Sequence, residues 1–390
     1  MQAYQWGIFA IALGAFGIGT TEFMPMGLLP VIAEGVDVSI PTAGLLISAY
    51  AVGVMIGAPI ITLYLTRFSR KNALIALMGV FVLGNTLAAL ATNYEILMLA
   101  RVVTSLSHGA FFGIGALVAM SLAPKGKQGS AVASMLLGLT IANIIGVPIT
   151  TWLGQNIEWR VAFAVTAVLG LIAIIGLVRS LPAMPVSEKP DVRKELKSIA
   201  QPAALRAFAL TILLAGSMFT LYTYIAPILH MLAGASENTI AIMLSLAGVG
   251  FTCGNYIGGK LADKSPDYAL FITFIAQIIM AFLFSVVASG TISAAIMVFL
   301  WSVVIFGSGS AVQMKVMQIA DEAPGLASSI NIGAFNLGNA LGAVLGGAVI
   351  TLGFSYAWIP SAAALLSVAA LLLLLLNRKL EKTQLQAASA

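Results

Sequence analysis

The chain has 390 residues, of which 60% are hydrophobic and 8% charged, with a net charge of +5. A soluble domain carries about 25% charged residues, so this composition describes a protein whose solvent is lipid. The single Cys253 excludes an internal disulfide framework and a Cys-rich metal site, and the small positive charge is not a nucleic-acid footprint, because its meaning depends on where the charges sit.

Apolar stretches long enough to span a bilayer recur at 6–32, 41–65, 72–91, 95–122, 129–153, 160–181, 205–231, 238–262, 268–288, 291–319, 325–351 and 357–376. The first is too long for a signal h-region and lacks a basic n-region and a small-residue cleavage site, so it reads as a retained helix. Its one charge is Glu22. A rise of about 1.5 Å per residue puts Glu22 roughly 15 Å from the segment's end, half of a hydrocarbon core about 30 Å thick. An ionised acid at that depth costs about 2.5–3.5 kcal/mol on insertion scales. Such residues face a water-filled cavity or a partner and often carry protons. A helix-capping or snorkelling acid is the alternative, and depth argues against it.

The break after the second stretch carries Arg67, Arg70 and Lys71. In the fourth stretch Arg101, Ser105, His108 and Phe112 fall on one helical face. Arg101 reads either as a side chain that snorkels or bonds structurally to backbone carbonyls, or as a charge partner for a proton site. His108 reads either as a neutral hydrogen-bonding residue or as a proton carrier. In the fifth stretch Gly138, Ala142 and Gly146 repeat every four residues, as do Ala334, Gly338, Gly342 and Gly346 in the eleventh. That spacing lets backbones approach closely, for static packing or for a sliding or sealing surface. Pro148 weakens or kinks the fifth helix. Trp159 and Arg160 read as interface anchors, and Lys315 as a snorkelling side chain near Asp321 and Glu322. Tyr50, Tyr222, Tyr224 and Asn331, with Phe112 and Phe335, are candidates to line a central cavity; interhelical bonding or core packing is the alternative for each.

The longest polar stretch, 182–202, falls near the middle. The chain therefore reads as all-α and polytopic: about twelve transmembrane helices in a six-helix bundle over 1–182, a cytoplasmic linker over 183–204 and a second bundle over 205–390. With both termini in the cytoplasm, all Lys and Arg residues except Arg101, Arg160 and Lys315 fall on the cytoplasmic side, as the positive-inside rule requires. The acids sort to one side or the other, leaving only Glu22 within a span. The halves also repeat: shifting Thr42, Ser48, Gly53 and Gly57 by 197 residues gives Thr239, Ser245, Gly250 and Gly254. Aligning Pro25 with Pro227 would set Tyr224 opposite Glu22. A duplicated six-helix unit is a transporter architecture, with its substrate site between the halves.

Over its whole length the chain resembles the major facilitator superfamily, and more narrowly the twelve-span drug:proton antiporters similar to arabinose, sugar and purine-nucleoside efflux carriers. The matching stretches are Thr20-Thr21-Glu22-Phe23, Met26-Gly27-Leu28-Leu29-Pro30, His108-Gly109-Ala110-Phe111-Phe112 and Asn331 through Asn339. The superfamily's loop motif is matched by Gly259, Leu261, Ala262, Asp263 and Lys264. In the first half Thr66 replaces its acid, although Arg67, Arg70 and Lys71 keep the basic positions. The fifth-helix antiporter motif is matched in part by Gly138, Gly146 and Pro148. The resemblance implies proton-coupled export from the bacterial cytoplasmic (inner) membrane by a chain that functions as a monomer. It assigns proton coupling to Glu22, to which the reading of the fourth stretch adds Arg101 and His108 as candidates, and a conformational gate to the loop and fifth-helix residues, with Asp263 the stronger gate candidate. Protons are the coupling ion, and no other cofactor, metal or nucleic acid is expected. The partners expected are a small-molecule substrate and membrane lipid. Symport or facilitated uptake on the same fold is the alternative. No His-Glu-x-x-His, Gly-x-Ser-x-Gly or Walker loop is present, which argues against an enzyme or an ATP-driven pump.

Overall fold

The computed structural model describes residues 3–125, 127–184, 201–319 and 324–389, among which helix is the only extended regular structure. Among the described residues twelve helices are long and apolar enough to cross a membrane: Tyr4–Gly27, Ile40–Leu65, Arg70–Ala89, Tyr94–Leu122, Gln128–Asn156, Trp159–Ser180, Pro202–Tyr222, Glu237–Lys264, Pro266–Val287, Thr291–Ile319, Ile330–Thr351 and Trp358–Leu380. They are called the first to twelfth spans below. Most of the central linker, and the acids Asp321 and Glu322, lie outside the described residues.

Hydroxyl and amide caps start many of these helices. Ser39 Oγ accepts from Thr42 N, Ser69 Oγ from Asn72 N, Asn93 Oδ1 from Ile96 N and Ser265 Oγ from Tyr268 N. Each satisfies a backbone N–H that the helix itself leaves free. Ser236 caps the eighth span through Thr239 as Ser39 caps the second through Thr42, so the 197-residue repeat extends to cap chemistry.

Three spans depart from the regular helix expected. The first ends at Gly27 and resumes as a short helix, Leu29–Gly35, with Pro30 in its first turn. The seventh ends at Tyr222 and resumes as Ile225–Ala233, with Pro227 in its first turn. A proline has no N–H to give the preceding turn, so the ladder breaks just before it. In the fifth span a π-turn at Ala142–Gly146 precedes Pro148; such turns are one way a helix absorbs a lost hydrogen bond. The breaks at Leu28 and Tyr224 correct the expected internal alignment. They pair Pro30 with Pro227, the same shift as the second and eighth spans, and set Phe219 rather than Tyr224 opposite Glu22.

Within the first half, the first span packs on the fifth and sixth, the third on the fourth and sixth, and the second on the fourth. The second half repeats every one of these pairings, six spans later. The halves meet along the second and eleventh spans and along the fifth and eighth. Because twelve spans return the chain to its starting side, both termini share one end of the molecule, the termini end; the other is the far end. Large side chains such as Ile60, Leu99, Leu171, Ile242, Phe282 and Leu372 are exposed around the outside. In water this would be an extreme apolar surface; in a bilayer it is the lipid contact.

The seam is closed at the far end. Phe23, Met26, Leu29, Ala33, Ala43, Ile47 and Val147 of the first half share one hydrophobic core with the second half. The termini-end core of the first half, around Ile11, Leu74, Phe111 and Met135, is separate.

Candidate functional site

Glu22 stands one residue short of the far-end closure. Phe23 stacks on Phe219 with ring centroids 6.2 Å apart and meets Tyr222 edge-on at 6.0 Å. Tyr222 continues into Phe251 and Trp301 of the second half, and Phe219 into Phe335. An aromatic wall from the second half thus faces the acid's end of the first span.

On its own side Glu22 is 5% exposed, and its Oε2 lies 3.9 Å from His108 Nδ1. His108 Nδ1 is also 3.1 Å from Tyr50 Oη, at hydrogen-bond distance, and its ring lies beside Phe112 at 5.3 Å. The Arg101 guanidinium lies over the Tyr50 ring at 4.2 Å, and its Nη1 donates to the Thr21 carbonyl at 2.9 Å. Arg101 is 1% exposed, and its Nε and Nη2 have no hydrogen-bond partner. The first, second and fourth spans therefore bring Glu22, Tyr50, Arg101, His108 and Phe112 into one cluster. Arg101 makes the carbonyl bond that was one of its two readings. It forms no ion pair with Glu22, although it grips the residue immediately before it.

Asn85 and Thr166, which the sequence did not single out, join Thr21 beside the cluster. Thr21 Oγ1 and Thr166 Oγ1 both donate to Asn85 Oδ1, at 2.6 and 3.0 Å. Short polar residues are common in membrane helices, and nothing in their spacing marks this set. Thr21 and Phe23 carried a better signal, each being adjacent to the acid and within a matched stretch.

Other candidates stand elsewhere. Tyr224 is at the helix break, where its hydroxyl donates to Ala343 O at 2.9 Å and packs against Gly44 across the seam; it belongs to the far-end closure. Asn331 bridges Thr211 Oγ1, from which it accepts at 2.5 Å, and Gln313 Oε1, to which it donates at 2.7 Å. Gly138 abuts Ala12 O, and Gly146 abuts Thr20 and Phe16, so the fifth-span stripe is buried within its own half rather than at the seam. Pro148 does lie at the seam, in an apolar groove shared with Trp152, Asn238 and Ala241. Lys71 Nζ donates to Val178 O and Leu181 O, holding the end of the sixth span. Arg67 lies over Tyr64, Arg70 opens the third span, and Asp263 and Lys264 are exposed at the end of the eighth. Asp263 forms no ion pair among the described residues. Lys315 Nζ pairs with Asp267 Oδ1, in the first turn of the ninth span, at 2.6 Å. Trp159 is no interface anchor, being buried against Gly35 and Phe163 with Arg160 over its ring.

A cleft of about 500 Å³ opens toward the termini end. Tyr4, Gln5, Phe9 and Ala12 of the first span line one side, and Lys127, just before the fifth span, with Ser130 and Ser134 on it, the other. Ala12 is ten residues before Glu22, roughly 15 Å along the helix, so the cleft approaches the acid's cluster without reaching it.

Residues 11–330 match the Major Facilitator Superfamily. The chain belongs to that family. It is a multi-pass secondary transporter and not an enzyme. The "Inner membrane transport protein YdhP" of Escherichia coli (strain K12) is 52% identical over 377 residues, 96% of each chain. The "Chloramphenicol resistance protein" of Streptomyces lividans is 31% identical over 350 residues, 89% of each chain. A crystal structure of a bacterial homolog of the human lysosomal transporter Spinster superposes with a TM-score of 0.76 at 15% identity, covering 97% of this chain and 96% of that one. This last likeness is one of fold. The six-plus-six pairing described above is thus the family's architecture, and the Glu22 cluster lies where its two halves converge.

Proposed function

We propose that this transporter exports a small organic molecule in exchange for protons, with Glu22 as the coupling acid. The observation that carries the reading is Glu22 itself. Among the described residues it is the only carboxylate lying more than one helical turn from the end of any span. A group buried at that depth is a functional residue by default. It is within reach of His108 and next to Phe23, the residue that closes the far end. A low-dielectric setting disfavours the charged form of an acid. Outward opening lets Glu22 take up a proton, and inward opening lets it release that proton and admit substrate. Proton movement inward is worth about 2.3 kcal/mol per 100 mV of membrane potential.

Lys and Arg placement orients both termini to the cytoplasm. The arrangement described is then closed outward, and the 500 Å³ cleft is the cytoplasmic approach. Export is favoured by the partial fifth-helix motif and by the resistance-protein relative. The substrate is a drug, sugar or nucleoside; the membrane is the bacterial inner membrane, and one chain suffices.

The test is transport in proteoliposomes under an imposed pH gradient, with a panel of candidate substrates. Glu22→Gln abolishes gradient-driven movement but retains substrate exchange. Equal proton coupling in variant and wild type removes Glu22 from the mechanism. Inside-out and right-side-out vesicles give opposite signs for export and uptake.

A further inference from the structure

We propose that Asn85, in the third span, is a positioning residue for the proton site, acting on Glu22 through Thr21. The inference rests on the reading of Glu22 given above. Asn85 is fully buried, and its hydrogen bonds go to Thr21, Phe81 and Thr166 rather than to a charged group. Its Nδ2 donates to Phe81 O at 2.9 Å, one turn back on its own helix, which fixes the amide's orientation. The carbonyl oxygen is thereby aimed at the first and sixth spans, where it accepts from Thr21 and Thr166. Thr21 is held a second time through its carbonyl, by Arg101 from the fourth span. The residue before Glu22 is thus clamped at side chain and backbone by two different helices. Arg101 in turn stacks on Tyr50, whose hydroxyl meets His108. Loosening Thr21 shifts Glu22 relative to His108 and Arg101 relative to Tyr50.

The second half supplies an internal control. Ser217, Gln277 and Ser367 stand on the seventh, ninth and twelfth spans, the counterparts of the first, third and sixth. Ser367 Oγ donates to Gln277 Oε1 at 3.1 Å and pairs with Ser217 Oγ at 2.8 Å. Gln277 Nε2 donates to Ser308 Oγ on the tenth span at 2.6 Å. This clamp joins the same set of helices with no ionisable group in it. If clamping helices were the whole role, the two amides would be equivalent.

The experiment compares Asn85→Leu, Gln277→Leu and Glu22→Gln in proteoliposomes, reading gradient-driven transport as a function of pH alongside the thermal midpoint. A misplacement of about 1 Å can cost a hundredfold at a reacting centre, so Asn85→Leu is expected to lower gradient-driven transport roughly ten- to hundred-fold and to displace its pH profile. Gln277→Leu is expected to lower the thermal midpoint by a similar amount while keeping the wild-type profile. Thr21→Val, which keeps the side-chain shape and removes the hydroxyl, reproduces the Asn85→Leu profile and serves if Asn85→Leu fails to fold. A wild-type profile in both Asn85→Leu and Thr21→Val, with Glu22→Gln uncoupled, overturns the positioning role alone. Retained coupling in Glu22→Gln overturns the proton-site reading and this proposal with it.

Discussion

Arg101 is costly where it stands, a guanidinium with 1% exposure and two unpartnered nitrogens. What stabilises it is one carbonyl bond and the face of Tyr50. A desolvated cation–π contact contributes about 2 kcal/mol or more, and a hydrogen bond to a charged group about 1.5–3 kcal/mol. Tyr50 therefore serves two neighbours, Arg101 through its ring and His108 through its hydroxyl. The two roles separate by substitution. Tyr50→Phe keeps the ring, leaves His108 Nδ1 without its bond and costs about 1–3 kcal/mol. Tyr50→Leu removes both and costs about 2 kcal/mol more. Thermal unfolding in detergent ranks the variants, and equal midpoints for Phe and Leu would show that the stacking contributes nothing. Charge made Glu22, Arg101 and His108 legible in the sequence, because each is expensive where it stands. Asn85 was not legible, because a buried amide carries no such cost once its bonds are made.

At the scale of the helix, small residues every four positions predicted close approach without saying to what. Gly338 and Gly342 abut the seventh span, as Gly138 and Gly146 abut the first, all within their own halves. In the eighth span the direction changes along one helix. Gly254 and Gly258 face the tenth span of the same half, whereas Gly248 faces the Asn143 carbonyl and Ile144 N of the other half. Sequence could place these glycines on a stripe but not rotate the stripe, because both neighbours are apolar helices. It also misaligned the repeat, since Pro25 competes with Pro30 as the partner of Pro227 and only the break reveals which one ends the ladder. Gly248→Ala sets a methyl group against backbone that cannot step aside, at a cost of about 1–2 kcal/mol borne only while the far end is closed. Such a cost moves the equilibrium roughly 5- to 30-fold toward the state open at that end. A cysteine at Ser134 in the cleft, with Cys253 replaced, reports the change. Its labelling from the termini end slows in Gly248→Ala. In Gly258→Ala, which instead strains the contact between the eighth and tenth spans, the thermal midpoint falls and labelling is unchanged.

Across the whole molecule, the seam is closed by few polar contacts and many apolar ones. Ser48 Oγ donates to Ala340 O at 3.1 Å between the second and eleventh spans. Asn156 Nδ2 donates to Asn238 Oδ1 at 3.3 Å between the fifth and eighth, exposed at the far end. Phe23, Met26 and Gly27 close the centre between them. A seam of this kind can part without leaving charges unpaired, which the proposed cycle of opening and resealing would require. The two bundles are well packed internally, so the proposed transport cycle would place its motion at the seam, as rigid-body rocking of one bundle against the other. The Asn156–Asn238 contact offers a way to stop it. With Cys253 replaced, Asn156→Cys and Asn238→Cys together place two thiols on opposite halves at the far end, in reach of a short bifunctional thiol reagent. Cross-linking is expected to abolish transport, each single cysteine variant to transport at the wild-type rate under the same reagent, and reduction of a cleavable linker to restore activity. A cross-linked protein that still transports would mean that the far end need not open, and would remove alternating access across this seam.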